Sequence, residues 1–243
     1  MLYVKQQGAM RTGTNLVKFA LEENFTNVRV LVNIGRWKHA MADTPFNWHG
    51  RDWEGEGRSV DVSTRISPEK LSAARAAIEA GTVKLAISVR DVYSWLVSYL
   101  SFMRDDDTEP LPPLADLPQG RLVEALSGWN ALYRSYLPQA GREPCAMVFR
   151  LEDLLTDFGA TLDKARRLWG LVPRHRLYVR PARYLRPGID GQSRSELLHP
   201  SRPFDRSRYL SGAYLAQFDE QLLALVRRTV DREVVQAYGY EVL

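Results

Sequence analysis

Apolar positions along the 243-residue chain follow two alternating rhythms. Short apolar or β-branched runs at residues 2–7, 28–32, 83–89 and 146–150 have the length and composition of strands. Helical spacing follows the first run at Leu16, Phe19 and Ala20, with Phe25 continuing it, and follows the third at Val92, Trp95, Leu96, Tyr99 and Phe102. Ser67-Pro68-Glu69 reads as an N-cap, a first-turn proline and an early acid, opening a helix over 68–80 that Gly81 closes. Further helices are predicted over 121–137 and 152–170, and a last amphipathic one over 213–237. Residues 35–60 and the Asp- and Pro-rich 105–120 read as loops, and 174–208 as an arginine-rich irregular segment. Strands alternating with helices predict a single α/β domain, a central parallel sheet with helices on both faces. There is no internal repeat and no linker to divide the chain.

Composition narrows the function classes only a little. The balance of 33 Lys+Arg against 29 Asp+Glu leaves +4, too mild for a nucleic-acid coat. Twenty-seven of those 33 cations are arginine, whose planar fork suits phosphate or sulfate, although a biased genome produces the same count. The lone Cys145 excludes a disulfide framework and a cysteine-rich metal site. No stretch has the ~20 apolar residues of a membrane span, and residues 1–7 lack a signal peptide's apolar core, so a cytoplasmic location is expected.

Two segments carry candidate chemistry. Gly8-Ala9-Met10-Arg11-Thr12-Gly13-Thr14-Asn15 lies between the first strand and the first helix, where loop N–H groups and a helix N-terminus favour an anion. Its glycines have P-loop spacing, but Gly13-Thr14-Asn15 replaces the usual Gly-Lys-Ser/Thr, and Arg11 is the nearby cation. An ordinary glycine turn would read the same. Arg90-Asp91-Val92-Tyr93-Ser94 then ends a buried strand, so Arg90 projects from the carboxyl edge of the sheet, where open α/β folds bind ligands. Ser98 follows two helical turns on. Taken singly, these two are equally a solvated charge and a tolerated helix serine.

In this order, Arg-Thr-Gly-Thr at 11–14 and Arg-Asp-x-Tyr-x-Trp-x-Val-Ser-Tyr at 90–99 resemble the sulfotransferase superfamily, whose members have a P-loop NTPase-like fold. The resemblance implies that Arg11, Thr12, Gly13, Thr14 and Asn15 hold the phosphosulfate of 3′-phosphoadenosine-5′-phosphosulfate (PAPS). It implies that Arg90 and Ser98 hold the 3′-phosphate. Tyr184 to Gly191 resembles the family's late phosphate loop, which assigns Arg186 and Gly188 to the same phosphate, with Pro187 at the usual lysine. Phe149-Arg150-Leu151-Glu152-Asp153-Leu154 resembles a Tyr-Glu-Asp-Leu segment with Leu151 at the tyrosine, and Leu16 stands at an adenine-stacking tryptophan. The closing Tyr238-Gly239-Tyr240 is similar to a common family ending.

The implied reaction is in-line transfer of a sulfuryl group to an acceptor hydroxyl, with 3′-phosphoadenosine-5′-phosphate (PAP) as product and no metal required. Sulfate carries less charge than a phosphoryl group, and arginines with loop amides suit the leaving phosphate. The base is expected just after the second strand, in Gly35-Arg36-Trp37-Lys38-His39, with His39 as base, Lys38 beside the sulfonate and His49 in reserve. Trp37, Phe46, Trp48 and Trp53 suggest an acceptor side for a sugar ring, planar phenol or other small molecule, and Arg36, Arg51 and Arg58 would favour an anionic acceptor; aromatics packing their own loop fit equally. The competing readings are a P-loop nucleotide kinase or ATPase, and a nucleotide-binding module without turnover.

Overall fold

In the computed structural model the described residues are 1–34, 36–43, 67–103, 113–186 and 197–243. Four strands, β1 (Leu2–Gly8), β2 (Val28–Leu31), β3 (Lys84–Val89) and β4 (Ala146–Arg150), form one sheet in the order β2-β1-β3-β4, parallel throughout. Helices α1 (Thr14–Asn24), α2 (Pro68–Glu79), α3 (Val92–Phe102), α4 (Gln119–Ala140), α5 (Leu151–Thr156) and α6 (Phe158–Trp169) surround it. The α/β architecture and all four strands match the expectation from periodicity.

Alternation along β3 divides the core. Ile87 and Val89 join α3, α4 and the C-terminal helices on one face, while Ala86 joins α1, β4, α5 and α6 on the other. Both faces are therefore covered, which explains why the strands read as continuous apolar runs. A smaller cluster of Leu31, Ile34 and Ala74 seats α2 at the β2 edge.

Differences from the expected elements trace mainly to aspartate. The helices expected over 152–170 divide at Asp157, whose carboxylate accepts from the Ala160 N–H (3.1 Å) and starts α6. The predicted 213–237 helix becomes a 3₁₀ turn (Ala213–Gln217), α8 (Glu220–Thr229) and α9 (Arg232–Ala237), with Asp219 and Asp231 capping the two helices. Within 174–208 a two-stranded antiparallel ribbon, β5 (Arg183–Leu185) and β6 (Leu198–Pro203), precedes the short α7 (Ser207–Leu210). Phe25 leaves the helix in an extended conformation; its backbone bridges Pro173 and its ring is fully buried. Among the described residues no helix is long and apolar enough to cross a membrane.

The order β2-β1-β3-β4 sends the chain leaving β1 to one side and, after β2, back past it to β3. The carboxyl ends of β1 and β3 therefore flank the point where strand order reverses, the place where such sheets leave a crevice. Gly8 closes β1 there with φ 152°, and a Cβ would stand 2.4 Å from the Ser88 carbonyl oxygen. Gly8→Ala is expected to lower stability by about 2–4 kcal/mol in urea unfolding, since both the φ and the contact oppose a side chain.

Candidate functional site

A cleft of about 320 Å³ opens at those two strand ends, and most of the residues expected from the sequence line it: Arg11, Gly13, Thr14, Asn15, Lys38, His39, Arg90 and Ser98. The loop after β1 is shaped by two left-handed residues, Arg11 (φ 69°) and Gly13 (φ 84°). At Gly13 a Cβ would lie 2.8 Å from Leu151 Cδ1, so α5 packs directly on the loop. The Ala9 carbonyl accepts from Thr12 Oγ1 (2.7 Å), Met10 O accepts from the Trp95 indole (2.8 Å), and the Ala9 N–H donates to Tyr133 Oη (3.1 Å). Thr12 is thus buried and holds the loop rather than lining the cleft.

Arg90 is buried at 6% exposure, in the wall of the cleft. Its Nε donates to Ser94 Oγ (2.8 Å), its Nη1 to the Arg11 carbonyl (3.3 Å), and its guanidinium lies over the Tyr209 ring at 5.6 Å. Burial above all pushes its pKa down, and the charge of Glu152 opposes that shift. Arg11 Nε donates to Ser98 Oγ and an Arg11 Nη to Tyr184 Oη, both at 3.3 Å, and Phe102 lies beneath the guanidinium at 5.2 Å. Neither arginine forms an ion pair among the described residues. Two confined guanidiniums, neither ion-paired although Glu152 lies near Arg90, give the cleft a positive character that suits an anion.

Glu152 fastens the floor beneath them. Its Oε1 accepts from the Asp91 N–H (3.0 Å) and its Oε2 from Tyr240 Oη (2.5 Å), while Arg150 lies over the Tyr240 ring at 4.3 Å. The 149–154 segment and the Tyr238-Gly239-Tyr240 ending thereby meet at the N-terminus of α3.

His39 and Lys38 reach the cleft from the segment after β2. The Gly8 N–H donates to the Lys38 carbonyl (3.0 Å), and His39 Nδ1 stands 2.5 Å from the Gly8 carbonyl. A carbonyl only accepts, so Nδ1 carries the proton and Nε2 keeps its lone pair, with no protein partner among the described residues. Burial, then the charge of Lys38, lowers the His39 pKa to about 3. The ring is only partly covered, so solvent moderates that shift without reversing it. Lys38 is buried, and its Nζ donates to Asn15 Oδ1 (3.0 Å), linking the two segments.

Several contributors have no motif. Lys5, Gln6 and Gln7 are three consecutive polar residues, all buried in the central strand. Lys5 Nζ donates to the carbonyls of Val32 (2.7 Å), Ile34 (3.3 Å) and Arg36, and Gln6 donates to the Thr14 carbonyl. The Gln7 amide, turned with its nitrogen toward the loop, donates to Lys38 O (3.0 Å) and Ala40 O (3.2 Å). A polar run inside a buried parallel strand is the signal that marks them. Tyr209 comes from the irregular late segment and carries no such mark, whereas Tyr184 opens the stretch that resembles the late phosphate loop. Arg186 follows β5 with its side chain exposed outside the cleft lining and its N–H bonded to Leu197 O (2.8 Å). Gly188, His49, Phe46, Trp48, Trp53, Arg51 and Arg58 lie outside the described residues.

No protein-family model and no curated protein sequence matches the chain. What the cleft can do follows from its chemistry: confine a polyanion beside a neutral imidazole.

The His39 environment predicts a pH dependence with a fixed sign. Its folded pKa lies below the unfolded 6.5, so the unfolded chain binds the extra proton between those values. Stability is then complete above about pH 6.5 and falls as pH drops toward 3. Urea unfolding at pH 8 and pH 5 should show a His39→Gln variant losing less stability on acidification than the parent protein, by about 1 kcal/mol. Equal losses would place the acid sensitivity in other groups.

Proposed function

We propose that this protein is a sulfotransferase, moving a sulfuryl group from PAPS to an acceptor hydroxyl, on a P-loop-like sulfotransferase fold. The observation that carries this reading is the meeting of the 11–15 loop, Arg90 and Ser98 in one cleft at the sheet's reversal point, with neutral His39 at its edge. The donor set suits a polyanionic nucleotide: two guanidiniums, a lysine, hydroxyls and loop amides. Leu16, Leu151, Leu185 and Phe204 supply an apolar wall for a purine.

In this reading Arg11, Lys38 and the loop amides face the 5′-phosphosulfate, while Arg90 and Ser98 face the 3′-phosphate. Arg186 and Gly188 would complete that end from the late loop. The acceptor oxygen attacks sulfur opposite the bridging oxygen, and the new S–O bond forms as the bond to phosphate breaks. The electron pair stays on the phosphate oxygen of PAP, and the acceptor proton passes to His39 Nε2. Loop N–H groups and Arg11 stabilise the leaving phosphate. In the full reading the chain acts as a cytoplasmic enzyme on a glycan or other small-molecule acceptor.

Calorimetric titration compares this with the other nucleotide chemistries. PAP should bind more tightly than ATP·Mg²⁺; the reverse order would favour a kinase or ATPase and overturn the proposal. Arg90→Ala should weaken PAP binding by about 2–3 kcal/mol, the magnitude of a lost charged hydrogen bond.

His39→Ala separates binding from chemistry. Transfer should fall by at least about 100-fold with PAP affinity nearly unchanged, as for loss of a general base. Undiminished turnover in that variant would move the base to another residue. A protein that binds PAP but transfers to no acceptor would be a binding module.

A further inference from the structure

A second cavity, of about 470 Å³, lies against the first and shares Met10, Trp37 and His39 with it. From this cavity we infer that the acceptor is an uncharged alcohol on a flat apolar body, an aryl or polycyclic alcohol rather than a sugar. The inference rests on the sulfotransferase reading and names the substrate class of that site.

Position comes first. His39 borders both cavities, so an acceptor in the second could present its hydroxyl to Nε2 while the sulfuryl donor occupies the first. Size comes next: the volume falls in the ~300–1,000 Å³ range of small-molecule sites.

Chemistry then discriminates between acceptors. Trp37, Trp95, Tyr99 and Trp129 supply flat surfaces, with Trp95 stacked on Tyr99 at 4.8 Å and 17°. Met10, Met41 and Met103, three of the five methionines, add side chains that adapt to aromatic edges. The charged side chains in the lining are Arg121 and Glu124, both exposed and of opposite sign, so the rim offers no net field for an anionic acceptor. A polyol would have to bury several hydroxyls against methionine, leucine and alanine, and each one left unpaired loses its hydration without compensation. One hydroxyl can be served: His39 Nε2 accepts from it, whereas the Trp129 indole N–H is buried out of reach of the cavity.

Gly128 completes the argument. It lies mid-way along α4 and lines this cavity, and a Cβ there would meet nothing within 4 Å among the described residues. No neighbour requires glycine at a position where alanine favours the helix. The missing side chain instead leaves room in the cavity.

The test uses the full chain with 2-naphthol and N-acetylglucosamine as probe acceptors, PAPS as donor, and Gly128→Ala and Gly128→Leu as variants. 2-Naphthol should quench tryptophan fluorescence on binding and be sulfated at least tenfold more efficiently than N-acetylglucosamine. Gly128→Leu should lose at least tenfold in 2-naphthol affinity while binding PAP like the parent. Gly128→Ala, with its smaller side chain, should lose less than threefold and serves as the folding control. Sulfation of N-acetylglucosamine with no binding of 2-naphthol would overturn the inference and leave the sulfotransferase reading standing. Binding of 2-naphthol that Gly128→Leu abolishes, with neither PAP binding nor transfer, would uphold the pocket and defeat that reading instead. Unchanged 2-naphthol affinity in Gly128→Leu would place the probe elsewhere and also overturn the inference.

Discussion

The site depends on the two-sided use of the Gly8 backbone. Its N–H donates to the Lys38 carbonyl, and its C=O receives the His39 ring nitrogen at 2.5 Å. On its remaining side the Ser88 carbonyl of β3 comes so close that a Cβ would have no room. One residue thus joins the end of β1 to β3 and to the segment following β2. One residue thereby sets where the loop after β1 begins and which imidazole nitrogen keeps its lone pair.

The polar run Lys5-Gln6-Gln7 makes that junction rigid. Placing three polar side chains in the central strand costs desolvation unless each finds partners. Lys5 closes on three carbonyls of the 32–36 segment, Gln6 reaches the Thr14 carbonyl through its amide nitrogen while its Oε1 has no partner among the described residues, and Gln7 reaches 38 and 40. Each bond contributes only about 1 kcal/mol net, but leaving any of these groups unpaired would cost ~1–3 kcal/mol. The asymmetry favours a single arrangement of the cleft walls. Arg90 follows the same logic, since Ser94, the Arg11 carbonyl and the Tyr209 face each offset part of the cost of burying its charge.

These particulars explain what the sequence made legible. The four strands were readable because both sheet faces are covered, which leaves unbroken apolar runs. The loop at 8–15 and Arg90 were readable because they sit at strand ends, where open α/β sheets bind ligands, whereas the roles of Ser98, Lys38 and His39 rest on the resemblance to the sulfotransferase superfamily. Lys5 and Gln7 act across about 30 residues, and no local pattern encodes a hydrogen bond of that span. The breaks at Asp219 and Asp231 were hidden by amphipathic periodicity that continues through them, although an aspartate three residues before a helical N–H is a start signal in its own right. The β5–β6 ribbon falls among arginines and prolines with no alternating pattern, so pairing rather than propensity determines it.

The neutral state of His39 has an electrostatic corollary for the proposed reaction. A base whose pKa is held near 3 is a weak proton acceptor at neutral pH. The causes are burial and the same Lys38 that would face the donor's sulfonate. One anionic charge about 5 Å away, at an effective dielectric of ~20, is worth about 3 kcal/mol, or roughly two pK units. Binding the polyanion would therefore raise the imidazole toward the working range and at the same time neutralise the cations that depressed it. In the proposed reaction cations and base would form one coupled unit: the charge that attracts the donor would keep Nε2 unprotonated until the donor arrives, and the donor's charge would then raise the basicity of that nitrogen as the acceptor's proton is released.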